Sequence, residues 1–464
     1  MKPDGARSER SGYPAPHDTA PHPAEASLWE RFLARENLAL ALRRVERNAG
    51  AAGIDGMSTE ELRSWLKDHW LQVRSALDAG TYRPQPVRRV MIPKPAGGQR
   101  PLGVPTALDR LIQQALLQVL TPVFDPYFHP QSFGFRPGRS AHQAVERARQ
   151  SIADGAVWCV DIDLDSFFDR VGHDALMARV ARRVADKQVL RLIRRYLEAG
   201  VMADGVEQAS EEGTPQGSPL SPLLGNVMLD DLDSELERRG HRFVRYADDV
   251  MVYVNSRRAG ERVMQSTTQF VESKLKLRIN RHKSVVAPAQ NRTFLGFGFF
   301  YRDGQVKLRV DTKARKRAKD RLRQLTSRRW GVSMERRITQ INRFTVGWTA
   351  YFALADTPRP FEHLDEWLRR RLRQIRWKQW KRYSTKRREL RAAGIPERPA
   401  REWAASRKGY WRIAGSAVLQ RALPNAYWVN LGLQGFTIPY RRFRDATRTA
   451  GCGPARPVVW EAPG

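Results

Sequence analysis

Apolar and polar positions along this chain recur at two different periods. From Ser27, a residue suited to a helix N-cap, Leu28, Phe32 and Leu33 follow at helical spacing. Ahead of it, residues 1–26 carry Pro3, Pro14, Pro16, Pro21 and Pro23 among scattered charge, which predicts a disordered tail. Residues 82–105, repeatedly broken by Pro and Gly, predict short strands. Leu108 to Val123 predicts an amphipathic helix. Gly155 to Phe168 predicts a strand running into a helix start. Arg242–Tyr246 and Val250–Val254 are β-rich runs joined by Ala-Asp-Asp, the pattern of a hairpin. Residues 262–279 predict helix. Residues 293–309 return to strand around Gly296, Gly298 and Gly304, and beyond Asp311 the pattern is helical and basic. No internal repeat is visible.

Composition adds size and charge to this outline. The chain has 464 residues, 41% of them hydrophobic, enough for a large core and too many for wholesale disorder. Its 81 Lys+Arg against 49 Asp+Glu give a net charge of +32, which favours polyanionic partners. The excess is lopsided: residues 301–464 hold 39 basic and 13 acidic side chains, a surplus of +26. That third therefore predicts a polyanion-binding surface. Cys159 and Cys452 are too few for a disulfide framework or a Cys-rich zinc site. That predicts a reducing, intracellular setting. With no apolar run of membrane-spanning length and no signal-type N-terminus, no membrane partner is expected.

Three elements carry candidate chemistry. VDIDLDSFFD places Asp161, Asp163 and Asp165 at period 2 after an apolar run, on one face if the strand persists. Carboxylates so grouped repel one another unless a cation sits among them, and Mg²⁺ prefers oxygen ligands. Taken alone, an ordinary acidic strand end is the commoner explanation. The second element, RYADDVMVYV, puts Asp248 and Asp249 at the hairpin tip, where Asp is also a common turn residue. If the two strands neighbour each other, their carboxylates meet. They could then hold two Mg²⁺ ions roughly 3.5–4 Å apart, one activating a 3′-hydroxyl and the other stabilising pyrophosphate. The third, EGTPQGSPLSPLLGNVML, is a Pro/Gly loop before an apolar helix; it either lets backbone approach a ligand or is a plain connector.

In this order the elements resemble a reverse transcriptase. Tyr246-Ala247-Asp248-Asp249 matches the family's Tyr-x-Asp-Asp box, and Pro215-Gln216-Gly217 a group found in retroelement polymerases. AAGIDGMS (51–58), IPKPAGGQRPLGVPTALDRLIQQAL (92–116), QSFGFRPGRSAHQAV (131–145), KLKLRINRHKS (274–284) and FLGFGF (294–299) extend the likeness to bacterial group II intron-encoded proteins. VGWTAYF (346–352) and WLRRRLRQIRWKQWKR (367–382) resemble their maturase-specific region. The likeness spans roughly residues 28–445.

The resemblance implies an α/β (α+β) right-hand polymerase with fingers, an antiparallel-sheet palm and a helical thumb. It implies fingers and palm at 27–304, thumb at 305–385, a small basic helical DNA-binding region at 386–445 and a tail at 446–464. By the family's D-x-x-x-F-F-D spacing, Asp163 is the first catalytic carboxylate and Asp161 a neighbour. Asp248 is then the second metal ligand, and Asp249 completes the box. Lys94, Arg100 and Arg89 match basic finger residues that hold the triphosphate of a dNTP. Phe168 matches the aromatic that blocks a ribose 2′-hydroxyl, with a core Phe as the competing explanation. Gln216 and Gly217 would sit against nucleotide and template. Lys283 falls in a Lys-Ser box, and Phe294, Leu295 and Gly296 resemble the primer grip, although apolar residues there fit a core as well. The resemblance is to the subgroup lacking an HNH endonuclease domain.

In the basic third, Phe361, Leu364, Leu368, Leu372 and Ile375 form an apolar stripe. Arg369, Arg370, Arg373, Arg376, Lys378, Lys381 and Arg382 occupy other faces and are expected to contact RNA or DNA. Nine of 13 Trp lie past residue 300; most are expected in the core, the rest as stacking platforms. The leading expectation is a bacterial, cytoplasmic RNA-directed DNA polymerase using two Mg²⁺, with the nucleoid as the site of association. Its partners would be group II intron RNA, an RNA template with a DNA primer or target DNA, and dNTPs. A splicing cofactor with a vestigial polymerase and a free-standing reverse transcriptase in repair or defence are the competing readings.

Overall fold

The computed structural model describes residues 26–93, 98–203, 206–208, 213 and 217–449. The proline-rich segment through residue 25, Lys94, Gln216 and residues 450–464 lie outside the described residues, as does the Arg100 side chain. Ser27 caps the first helix, Leu28–Leu33, in a reciprocal capping box with Glu30. Thr106 caps Ala107–Phe124, within which Asp109 accepts hydrogen bonds from Tyr82 Oη (2.8 Å) and Tyr196 Oη (3.1 Å). Burial raises the Asp109 pKa, and this knot ties three segments of the N-terminal half together.

Strands β1 (Val87–Pro93) and β2 (Gln99–Val104) form an antiparallel hairpin. β3 (Trp158–Asp163) belongs to a different sheet, while β4 (Val201–Ala203) joins β1 in parallel and carries β5 (Val206–Gln208) on its outer edge. β6 (Arg242–Tyr246), β7 (Asp249–Val254) and β8 (Val285–Pro288) enclose β3 in a four-stranded antiparallel sheet of order β6-β7-β3-β8. β9 (Thr293–Phe294), β10 (Phe297–Arg302) and β11 (Gln305–Val310) make a small antiparallel sheet beside it.

The four-stranded sheet separates two cores. Val160 and Ile162 of β3 and Val250, Val252 and Val254 of β7 enter one, with the helices Ala107–Phe124, His173–Ala181 and Ser221–Arg238. Cys159, Val244, Met251 and Tyr253 enter the other. Period-two alternation therefore puts Asp161, Asp163 and Asp249 on the face of the second core, beyond its apolar cover. Asp165 departs from the expected row. The strand ends at Asp163, Ser166 turns the chain at φ 50°, and Asp165 pairs with Arg170 at 3.2 Å.

The second core continues through Thr312–Leu325, Met334–Phe352 and Arg359–Gln379 and reaches Tyr440. The stripe Phe361, Leu364, Leu368, Leu372 and Ile375 is buried, as its spacing predicts. Residues 386–445 share that core: Trp428 and Phe436 have no exposed surface, and Phe361 stacks on Tyr440 at 4.1 Å. The mixed helix and antiparallel-sheet architecture agrees with the expected polymerase fold.

Candidate active site

β3 and β7 bring the two acidic elements together. Their register sets Asp163 opposite Asp249, and Asp248 occupies the two-residue turn between β6 and β7 with Ala247. Ala247 adopts φ 58°. Positive φ at the first turn residue suits the twist of a tight hairpin but strains a residue with a Cβ. The Asp163 backbone N–H donates to Ser284 Oγ at 3.0 Å, and its carbonyl accepts from Asn280 N at 2.9 Å. The Lys-Ser box thus flanks Asp163. Lys283 Nζ lies 3.4 Å from Asp163 Oδ1, with both side chains partly exposed. Asp161 is engaged by Arg292, whose Nε donates to it at 3.1 Å.

Electrostatics here are unbalanced. Burial pushes the Asp249 carboxyl up to about 7, and the charges of Asp161, Asp248 and Asp163 add to this against the opposing Arg292. Asp248 is also raised, by burial first and then by Asp163. The donor set is hard carboxylate oxygen, the chemistry suited to a divalent cation. Among the described residues no three acidic, His or Cys side chains already converge on one ion position; Asp163 and Asp161 face Lys283 and Arg292 instead.

A pH prediction follows from Asp249. Its pKa in the fold exceeds the unfolded value of about 3.9, so the folded state holds the extra proton between those values. Its contribution to stability is present at low pH and is lost as pH rises through about 7. In EDTA, the protein should melt roughly 2 °C higher at pH 6 than at pH 8. Mg²⁺ should raise the melting temperature more at pH 8, where it meets no competing proton. Asp249→Asn should remove both differences; melting curves that keep them would assign the effect elsewhere.

Other expected residues fall around this centre. Arg89 projects exposed from β1, opposite Gly103 of β2. The Arg100 backbone sits in β2 opposite Ile92. Gly217 has φ 110°, and a Cβ there would stand 2.7 Å from the Gly103 carbonyl oxygen. Glycine therefore lets its loop lie against the β1–β2 hairpin. Phe168 is half-buried, its ring 4.9 Å from that of Phe167, which is buried. Both rings rest on Gly225, where a Cβ would meet them at 3.2 Å.

The Phe294–Gly296 segment is corrected in part. Phe294 is wholly buried and cannot touch a primer. Leu295 and Gly296 form the two-residue turn between β9 and β10, both with positive φ (50° and 82°). Tyr351 Oη donates to the Leu295 carbonyl at 2.9 Å, and Phe352 packs below Gly296. The turn is thereby fixed to the helix Met334–Phe352.

The basic set is also revised. Arg373 is buried, its Nε donating to the Leu423 carbonyl at 3.2 Å, and burial lowers its pKa to about 10. Arg370 lies 4.0 Å over Trp411 and donates to its carbonyl at 3.0 Å, bracing the short helix Tyr410–Ala414. Arg369 is half-buried. Arg376 donates to Gln379 and Lys378 to the Arg328 carbonyl. Lys381 and Arg382 are exposed. Equally exposed are cations outside the expected set: Lys313, Lys316, Arg317, Arg321, Arg323, Arg328 and Arg329. Helical spacing of Ala314, Ala318, Leu322 and Leu325, all buried, was the signal that these cations face outward. Trp348, Trp377, Trp380 and Trp428 are core, as expected of most Trp, whereas Trp411 remains 38% exposed.

Residues 92–299, which include this centre, match the family model for reverse transcriptase (RNA-dependent DNA polymerase). The chain is also 32% identical over 329 residues to protein YkfC of Escherichia coli K12, covering 62% of this chain and 86% of YkfC. It belongs to the reverse transcriptase family. Residues 315–394 of this reverse transcriptase match the group II intron maturase-specific domain. The group II intron-encoded protein LtrA of Lactococcus lactis is 29% identical over 361 residues, covering 60% of this chain and 59% of LtrA. The enzyme is thus an RNA-directed DNA polymerase that carries a match to the group II intron maturase-specific domain. Among the described residues no helix is long and apolar enough to cross a membrane.

Proposed function

We propose that this reverse transcriptase is encoded by a group II intron, binds that intron's RNA to assist splicing, and copies it into DNA from a 3′-hydroxyl at a new site. The observation that carries the reading is the continuous core joining the acidic sheet to the 315–394 maturase-specific helices. One packed unit then presents both a polymerising centre and a basic RNA surface. It would work in the bacterial cytoplasm at the nucleoid.

In this reading Asp163 and Asp248 hold two Mg²⁺ ions, with Asp249 beside them. Bound there, the ions would supply charge neutralisation for phosphoryl transfer. Arg89, Arg100 and Lys94 bind the triphosphate of the incoming dNTP, Arg by its bidentate fork and Lys as a point charge. Gln216 and Gly217 lie along the nucleotide, and Lys283 steadies its phosphates after leaving Asp163. Phe168 closes the space a ribose 2′-hydroxyl would need. Leu295 and Gly296 support the primer end. Lys381, Arg382 and the exposed cations of Thr312–Leu325 contact phosphates of the intron RNA and the template–primer duplex, and residues 386–445 contact target DNA.

The test is to sequence RNA that co-purifies with the Asp248→Asn protein at moderate salt, since this variant keeps RNA without copying it. One dominant structured RNA that encodes the protein is the expected result. A mixture that follows cellular abundance would remove the dedicated intron partner and leave a free-standing polymerase.

A further inference from the structure

A second charged cluster lies beneath the catalytic turn, and the reaction chemistry has not used it. Arg245 of β6 and Asp233 of the helix Ser221–Arg238 form an ion pair in which neither side chain is exposed. Arg245 Nε donates to Asp233 Oδ1 at 2.8 Å and Nη2 donates to Oδ2 at 2.6 Å. Nη1 points the other way. It donates to Asn226 Oδ1 at 2.8 Å and to the Ala247 carbonyl at 3.0 Å. Asn226 Nδ2 in turn donates to the Gly134 carbonyl at 2.9 Å. Gly134 lies directly against the turn: a Cβ there would stand 2.3 Å from Ala247 N.

The arrangement is costly as a stabiliser. Removing two charges from water offsets most of their attraction, and an apolar pair of similar volume often serves stability as well or better. What an apolar pair cannot do is hold a carbonyl in a chosen direction. The carbonyl held here belongs to Ala247, the strained residue at φ 58° that immediately precedes Asp248.

We propose that Arg245, Asp233 and Asn226 form a positioning device that locks the Ala247 turn and so aims the Asp248 carboxylate at Asp163. These residues touch neither substrate nor metal; they act through the turn. The kinetic readout rests on the polymerase reading, and the Mn²⁺ readout on the metal-holding role that reading gives Asp163 and Asp248.

The test uses the full chain with Arg245→Met and Asp233→Leu combined. Melting temperature, affinity for RNA and KM for dNTP should stay at wild-type values, while kcat for primer extension falls roughly tenfold or more. Affinity for Mn²⁺ without nucleotide, read by electron-spin resonance, should fall in parallel. This measurement decides the matter even if the wild-type protein extends no primer. Wild-type Mn²⁺ affinity and kcat in the stable double variant would show that the pair only holds the fold, and would overturn the proposal. Should the double variant not fold, Asn226→Ala keeps the ion pair and removes the tether to Gly134. It should lower kcat and Mn²⁺ affinity when assayed well below its own melting temperature, and wild-type values there would overturn the proposal equally.

Discussion

Asp248→Asn lowers DNA synthesis on an RNA template by at least about 10³-fold, with RNA affinity and melting temperature unchanged. Asn keeps the size and hydrogen-bonding reach of Asp and removes only the charge. In this site the charge is a structural liability. Burial and the Asp163 carboxylate already raise the Asp248 pKa, so its neutral replacement does not weaken the fold. In the proposed function that charge binds the cation, so activity and stability should separate at this residue. Primer extension with labelled dNTPs, alongside thermal melting, makes the comparison. Equal extension by the variant would remove Asp248 from the mechanism. Absence of extension from both proteins, with splicing retained, would favour a splicing cofactor that no longer polymerises.

RNA affinity should fall roughly 10³-fold between 50 and 200 mM salt, the behaviour of a protein that neutralises six or more phosphates. The exposed cations Lys313, Lys316, Arg317, Arg321, Arg323, Arg328 and Arg329 supply that number, and among their neighbours Asp320 pairs with Arg323 alone. Lys316→Ala and Arg317→Ala should each reduce the slope of log affinity against log salt by about 1. Arg373→Ala should not alter the slope, because that guanidinium is spent on the Leu423 carbonyl inside the core. Filter binding across a salt series separates these outcomes. A flat dependence would mean that RNA is held mainly by stacking and shape.

Sequence patterns made the palm legible because its signals are local. Period-two alternation in 157–163 and the β-rich runs around Ala247 specify strands, and the acids fall at their ends. The register Asp163 opposite Asp249 follows once those strands pair. The short strands β4 and β5 were not legible, since three residues apiece carry no period. Asp165 went astray because period two holds only while the strand lasts, and the strand ends at Asp163, ahead of the turn at Ser166. Arg373 was misjudged for a related reason: charge was read as exposure, and the segment at Leu423 covers that side of the helix. Arg245 and Asp233 sit twelve residues apart in sequence, and nothing local marks them as partners.

β3 is lined by core valine and isoleucine on one face and by Asp161 and Asp163 on the other. Inserting or deleting one residue within it exchanges the faces, driving carboxylates into the dry first core and lifting Val160 or Ile162 out of it. Such a lesion cannot yield a well-folded but silent protein; folding and chemistry fail together. A one-residue slip in this strand is thereby a folding lesion as much as a catalytic one, because the core and the acidic centre are written into the same six residues.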